Sequence, residues 1–324
     1  MESFSRDHRE KHLITRGNVD GIVSAAMFLA AYPGSRISFV TSPTAGGRLL
    51  ALDRASKEVF LADLAIVPEL EASMYDASTR ANVLAFDHHQ PNRCSGEVKG
   101  MLVIEEGRSA ASVLYHHLGL NGRMRKLAAI ADLVEFCDTD LLHEQAAIHT
   151  QERLDEEARM LDFSWRLDID DDVFRSQAST HLSKGAWPSE VGTIRRRYQQ
   201  VQNEQRWPRA LARVESQMRI RGPACVLQCH DKNRSLYGFG TRALVHVAIE
   251  RGCDYAVMVN QRKMHTSVSL RGLTPECVNL GKFVEEFTEV HGLEGGGHPT
   301  SAGARIPVET TDTFMDELIT AATR

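Results

Sequence analysis

Asp87-His88-His89 directly follows the apolar run Val83-Leu84-Ala85-Phe86, so a carboxylate and two imidazoles leave a predicted buried strand together. These side chains ligate divalent cations and move protons. Two further acids stand in the same relation to a strand. Asp20 lies in Asn18-Val19-Asp20-Gly21 after Leu13-Ile14-Thr15, and Asp63 follows Glu58-Val59-Phe60-Leu61-Ala62. Ligands of open α/β sheets bind beyond the carboxyl ends of the strands, so these groups are candidates for one site. Asp132, in Ala129-Ile130-Ala131-Asp132, is a carboxylate inside an apolar helical stretch. A buried carboxylate needs a partner, and a metal ion is a strong one. Carboxylates with an imidazole suit Mn²⁺ or Mg²⁺ better than a thiolate-rich zinc site does. Such an ion activates water and neutralises phosphate oxygens. Taken singly, each residue has a plainer reading: Asp20 and Asp63 as helix N-caps, and two adjacent histidines that by themselves mean little. Their joint order along the chain is the signal. Far downstream, Gly295-Gly296-Gly297-His298 closes the set.

The elements that must position these groups alternate over the first 140 residues. Strands are expected at Leu13–Thr15, Ile37–Val40, Val59–Leu61, Val83–Phe86 and Leu102–Ile104. Helices are expected at Asp20–Ala31, where Ile22, Ala25, Ala26 and Leu29 repeat at helical spacing, and at Pro68–Ala77, Ser109–Leu118 and Met124–Glu135. Near-continuous apolar strands alternating with helices indicate a mostly parallel sheet covered by helices. The middle, from about His149 to Arg221, is charged and poor in strand signals, and is expected to be helical. It carries Arg195-Arg196-Arg197, Arg206, Arg209 and Arg213, read as a solvated helix face or as a phosphate-contacting wall. Gly222-Pro223 marks the next boundary. Strands at Ala224–Cys229, Tyr255–Val259 and Thr266–Leu270, with helices at Thr241–Arg251 and Leu280–Val290, then make a smaller α/β domain. The expected division is 1–150, a helical linker or insertion over 151–221, and 222–324.

Composition bounds the function. A chain of 324 residues is long for a single core. A net charge of -5 argues against tight, non-specific binding of long nucleic acid but leaves room for a short anionic substrate in a local pocket. The six cysteines are scattered. Cys225 and Cys229, spaced C-x3-C in an apolar run, read as core thiols on one strand face rather than zinc ligands. No apolar stretch reaches membrane-spanning length, and Met1–Lys11 is polar and charged, unlike a signal peptide, so a cytoplasmic, reduced protein is expected.

With these motifs in this order, the chain resembles the DHH phosphoesterase superfamily, which includes RecJ-type exonucleases, small oligoribonucleases, cyclic-dinucleotide phosphodiesterases and type II pyrophosphatases. The resemblance covers most of the chain except the middle. Arg16-Gly17-Asn18-Val19-Asp20-Gly21 stands at the first motif, Asp63 at the second, Asp87-His88-His89 at the third and Asp132 at the fourth. Gly295-Gly296-Gly297-His298-Pro299-Thr300-Ser301-Ala302-Gly303 looks like the signature of the family's associated C-terminal domain, and Ser269-Leu270-Arg271 resembles its substrate-binding arginine strand. The resemblance implies that Asp63 bridges two metals and that Asp20, His88 and Asp132 complete one metal's shell. His89 would contact the scissile phosphate or assist the leaving oxygen. Arg271 and His298, with the Gly296 and Gly297 amides, would hold a terminal phosphate.

The chain departs from the pattern at the other metal. Family members place His or Asp where this chain has Arg16, and Asp where it has Asn18. Arginine is no metal ligand and asparagine is a weak, neutral one. Three explanations compete: Asn18 is an engineered substitution that traps substrate; the protein works with one metal, Arg16 replacing the missing cation beside the phosphate; or the chain is a binding protein that has lost catalysis.

The resulting expectation is a two-domain, metal-dependent phosphodiesterase, Mn²⁺ or Mg²⁺ its cofactor, with its active site in the interdomain cleft and Arg16, Asn18 and His89 beside the reacting phosphate. It would process short oligonucleotides or small nucleotides from an end. The rival readings are a non-catalytic nucleotide or nucleic-acid binding protein with a degenerate first metal site, and a nucleotide phosphomonoesterase.

Overall fold

The computed structural model describes residues 10–53, 55–88, 96–230, 236–274, 276–297 and 299–323. It divides into two compact units, Met1–Gln200 and Val201–Arg324.

The first unit is built on five strands: β1 (Lys11–Arg16), β2 (Arg36–Val40), β3 (Glu58–Ala62), β4 (Asn82–Asp87) and β5 (Leu102–Ile104). All pair in parallel, in the order β2-β1-β3-β4-β5. The strands are apolar on both faces, as a sheet covered on both sides requires. Successive side chains point to opposite faces. Leu13, Phe60, Ala62 and Phe86 therefore pack under α1 (Val19–Ala31), α5 (Ala110–His117) and α6 (Arg125–Val134). Ile14, Val59, Leu61, Val83 and Ala85 pack on the other side with α2 (Ser42–Leu50) and α3 (Pro68–Ser78).

The short α4 (Gly96–Lys99) precedes β5. The helices α7 (Asp140–His149), α8 (Gln151–Arg166), α9 (Asp172–Leu182) and α10 (Gly192–Asn203) complete the chain on this side. The segment expected as a linker is thus divided: Leu154, Leu161, Phe174, Leu182 and Ile194 join the core of the first unit, whereas α11 (Arg206–Gln217) packs on the second. Of the basic residues there, Arg197 is internal to the fold: it donates to the Ser164 carbonyl (2.8 Å), pairs with Asp171 (2.6 Å) and covers the Phe174 ring. Arg195, Arg196, Arg209 and Arg213 are exposed.

The second unit is a six-stranded mixed sheet in the order β10-β11-β9-β8-β7-β6, with β6 Arg219–Arg221, β7 Ala224–His230, β8 Tyr255–Gln261, β9 Thr266–Gly272, β10 Glu294–Gly297 and β11 Ser301–Ile306. Its one parallel pair, β7 and β8, is bridged by α12 (Gly240–Glu250). α13 (Leu280–His291) and α14 (Thr311–Ala322) contribute Leu280, Val284, Phe287, Phe314 and Leu318 to its core. Cys225 and Cys229 are buried free thiols two pleats apart on β7, and burial pushes Cys225 up to about 11, as expected of core thiols. Among the described residues, no helix is long and apolar enough to cross a membrane.

Candidate active site

In the five-stranded sheet the chain runs outward from β1 to β2 and then returns past β1 to β3, so connections leave in opposite directions on either side of the β1–β3 pair. A crevice opens at the carboxyl ends of such a pair. The register puts Thr15, Ala62 and Phe86 in one row across β1, β3 and β4. The next residues, Arg16, Asp63 and Asp87, therefore leave the sheet side by side at that crevice. Arg16 Nη1 lies 3.6 Å from Asp63 Oδ1. Asp63 holds a left-handed backbone (φ 54°), which Asp tolerates better than most residues but still at a cost.

Asp20 arrives from the first turn of α1. Asn18 caps that helix, its Oδ1 accepting from the Gly21 amide at 2.9 Å. Gly21 is fixed by space: a Cβ there would lie 1.9 Å from the Arg16 carbonyl oxygen, so only glycine lets α1 pass so close to the end of β1. Asp20 is fully buried and serves another helix. Its two oxygens accept from the Ala110 (2.9 Å) and Ala111 (2.8 Å) amides at the start of α5. The neighbouring amides of that turn are also satisfied. Ser109 N donates to Asp132 Oδ1 (2.9 Å), and Ser112 N donates to Ser109 Oγ (3.1 Å). Two carboxylates thus meet the positive end of α5 and fill the donors a helix start leaves open. Asp132 also accepts from Ser109 Oγ (2.6 Å) and, through Oδ2, from Thr139 Oγ1 (2.8 Å); Thr139 in turn caps α7. His88 Nδ1 stands 3.9 Å from Asp20 Oδ2 and 3.9 Å from Asp87 Oδ1, and the Asp87 carboxylate accepts from the His88 amide at 2.8 Å.

Charge is unevenly matched in this cluster. Burial pushes the Asp20 carboxyl well above its ordinary range, with Glu135 and Asp87 adding repulsion against the pull of the Ala111 and Ala110 amides. Burial does the same to Asp63, opposed by Arg16 and reinforced by Asp20, Glu135 and Asp87. Asp63 foremost, then Glu135, Asp87 and Asp20, push the Arg16 guanidinium up against the effect of burial. Four carboxylates therefore act on one fixed cation. Asp63 Oδ2 is buried with no hydrogen-bond partner among the described residues. In charge and donor type this set fits one hard divalent cation. On the resemblance, the positions for a second ion hold Arg16, here paired with Asp63, and Asn18, here the cap of α1. Among the described residues no three His, Cys, Asp or Glu side chains are drawn into a closed cage for an ion.

The structure brings Arg16, Asp20, Asp63 and His88 together and places Asp132 behind them, joined through Ser109 and the start of α5. His89 and His298 lie outside the described residues. In the second unit, Arg271 on β9 pairs in register with Ser301, and Gly297 on β10 with Ala302, so Arg271, Gly296 and Gly297 stand near one end of the same ladder. Arg271 donates from Nη1 to the Leu270 carbonyl (2.8 Å). Gly297 must be glycine: its φ is 152° and a Cβ would lie 2.4 Å from Ala302 Cα. Glu135 is the member of the cluster that motif reading missed. Asp87 was visible as the first residue of its triplet. Glu135, at the carboxyl end of α6 just after the apolar run that carries Asp132, had only its proximity to that run as a signal.

A model of the DHHA1 domain matches residues 250–323. No curated protein matches the sequence. Among solved structures, the fold is similar to the pGpG-specific phosphodiesterase PggH from Vibrio cholerae (TM-score 0.59, 15% identity, 97% of this chain and 99% of that one). It is also similar to RecJ from Thermus thermophilus in complex with Mn²⁺ (TM-score 0.64, 16% identity, 97% of this chain and 52% of that one), so the chain spans about half of RecJ. A third is the DHH domain of a member of a family of ribosomal proteins (TM-score 0.71, 13% identity, 97% of this chain and 86% of that one). The chain thus shares the fold of these structures over nearly its whole length.

Proposed function

We propose that this protein is a metal-dependent phosphodiesterase that hydrolyses short oligonucleotides or small nucleotides from an end. The observation that carries the reading is the row Arg16–Asp63–Asp87 at the β1–β3 crevice, with Asp20, His88 and Glu135 around it: a carboxylate surplus that calls for a cation, beside a guanidinium that is half exposed. The similarity of fold to a pGpG-specific phosphodiesterase and to a RecJ solved with Mn²⁺ supports it. So does the acidic net charge, which disfavours long nucleic acid.

Asp20, Asp63 and His88 would hold one Mn²⁺ or Mg²⁺. Asp132 Oδ2, accepting one hydrogen bond, keeps the capacity to join them. When bound, the cation supplies Lewis acidity at the phosphate and activates water. Arg16 offers its exposed donors to the phosphate oxygens, in place of a second cation. Asn18 holds the start of α1 so that Asp20 and Arg16 keep their places. His89 would contact the scissile phosphate or assist the leaving oxygen. In the second unit Arg271, Gly296, Gly297 and His298 hold the substrate's terminal phosphate, a remote contact that positions the reacting group.

The ion pair between Arg16 and Asp63 also favours a second reading, a non-catalytic nucleotide-binding protein whose acid cluster is neutralised by its own arginine. A 5′-phosphorylated dinucleotide separates the two. The phosphodiesterase releases mononucleotides with Mn²⁺, none with chelator, and none from Asp63→Asn. Binding without cleavage under the same conditions establishes the second reading. Faster release of phosphate from a bisphosphorylated nucleoside identifies a phosphomonoesterase instead.

A further inference from the structure

Phe136 combines two unfavourable features. α6 ends at Val134, Glu135 caps it, and Phe136 then takes a left-handed backbone (φ 58°) before the Cys137 amide returns to the Asp132 carbonyl at 2.9 Å. That position after a helix usually belongs to glycine, and a bulky aromatic residue there is strained. The ring gains nothing by burial, because Phe136 is 81% exposed. The other non-glycine residues with positive φ have tasks or open positions of other kinds: Asp63 is in the acid cluster, Thr150 caps α8, and Gln205 precedes α11. Other well-exposed apolar residues, such as Ile148, Val173 and Val290, lie on helices in ordinary conformation.

Location gives the pairing of strain and exposure its meaning. Phe136 is the next residue after Glu135, whose charge acts on Asp20, Asp63 and Arg16. A strained residue held by the surrounding fold beside a reactive cluster is a candidate for function. An exposed aromatic face recognises flat π-systems, and every nucleobase has one.

We infer that Phe136 is a stacking platform for a nucleobase of the nucleotide whose phosphate is taken at the Arg16–Asp63 centre. The inference rests on the phosphodiesterase reading and adds the part of the substrate recognised there. Stacking does not distinguish the bases, so the subsite selects for the presence of a base rather than its identity.

The test compares a 5′-phosphorylated dinucleotide with the same compound lacking its bases. Wild type should show a lower KM for the base-bearing compound by about 10- to 100-fold. Phe136→Ala should remove that preference, and Phe136→Trp should keep it, with indole fluorescence quenched by the base-bearing dinucleotide only. Phe136→Gly should lose the preference while its Tm rises by about 2–4 °C, since glycine relieves the left-handed strain. A stabilised variant with weakened base recognition cannot be dismissed as misfolded. If wild type turns over the dinucleotide and Phe136→Ala keeps the full preference for bases, the platform is refuted and the phosphodiesterase reading survives. If wild type neither binds nor cleaves the dinucleotide, both fall.

Discussion

Replacing Asp132 by alanine tests whether this carboxylate holds the fold around the site independently of any ion. It is fully buried and accepts three hydrogen bonds, from Ser109 N, Ser109 Oγ and Thr139 Oγ1. Alanine leaves the Ser109 amide without its acceptor, which costs about 1–3 kcal/mol for a buried donor. Each hydroxyl loses a bond of about 0.5–1.5 kcal/mol. Relief of the carboxylate's own desolvation offsets part of this, so a net loss of about 3 kcal/mol is expected. For a unit of this size that lowers Tm by about 6–12 °C. Asp132→Asn keeps an acceptor for Ser109 and presents its NH₂ to Thr139 Oγ1, so about 1 kcal/mol is expected. The assay is calorimetric melting in chelator, with the transition of the first unit followed by itself because two units need not melt together. A parallel scan with saturating Mn²⁺ reads the ligand role as the Tm gain that the ion confers. If Asp132→Ala melts within about 2 °C of wild type in chelator, an interval far below the about 6–12 °C expected, the anchoring argument is wrong. Loss of the Mn²⁺ gain alone would then make Asp132 a ligand and nothing more.

His12 gives a pH signature. Ser38 Oγ accepts from Arg48 Nε (2.9 Å) and lies 2.8 Å from His12 Nε2; burial, then Arg48 and Arg36, bring the His12 pKa from 6.5 down to about 4, which keeps the ring neutral. Because the folded value is depressed, its contribution is complete above pH 6.5 and is lost as pH falls toward 4, about 3 kcal/mol in all; His12→Gln should remove that part of the stability slope in urea titrations. Asn18→Ala should cost about 1 kcal/mol through the lost cap of α1. Asn18→Asp keeps the cap and adds a charge to the cluster, so calorimetric titration should show tighter or additional Mn²⁺ binding, and an unchanged isotherm would mean that Arg16 alone sets the stoichiometry. Arg271→Ala should lower kcat/KM on short oligonucleotides by roughly one to two orders of magnitude, the worth of a hydrogen bond to a charged group, with metal content unchanged; an equal loss on a small generic phosphodiester would show that it supports the fold instead.

The reach of the sequence is clearest in the contrast between Asp63 and Asp132. Both were found as acids attached to apolar runs, and both are buried. For Asp63 the pattern gives its place at the sheet's carboxyl edge, because a short parallel strand has one carboxyl end and the row of such ends is where polar groups converge. Arg16 is singled out only by the family resemblance, whereas the same strand-end logic points to Asp20 and His88. It also identified the strands of the first sheet, whose apolar runs admit little else. For Asp132 the pattern showed only that a partner was required. Ser109 is 23 residues away in the chain and Thr139 is seven away; neither has a composition that advertises a carboxylate, so burial alone could not distinguish a metal from a helix start. The glycine cluster shows the same limit in the second unit. Gly295-Gly296-Gly297 suggested an open anion turn, yet its backbone forms β10, paired with β11, with Gly297 pressed on Ala302. Glycine is chosen there by the crowding of two strands as well as by any phosphate. Local spacing thus reveals which residues must be held. What holds them is decided by elements that meet only after folding, and at α5 that meeting satisfies the Ser109, Ala110 and Ala111 amides with the two carboxylates most easily mistaken for a pair of ligands with no other work.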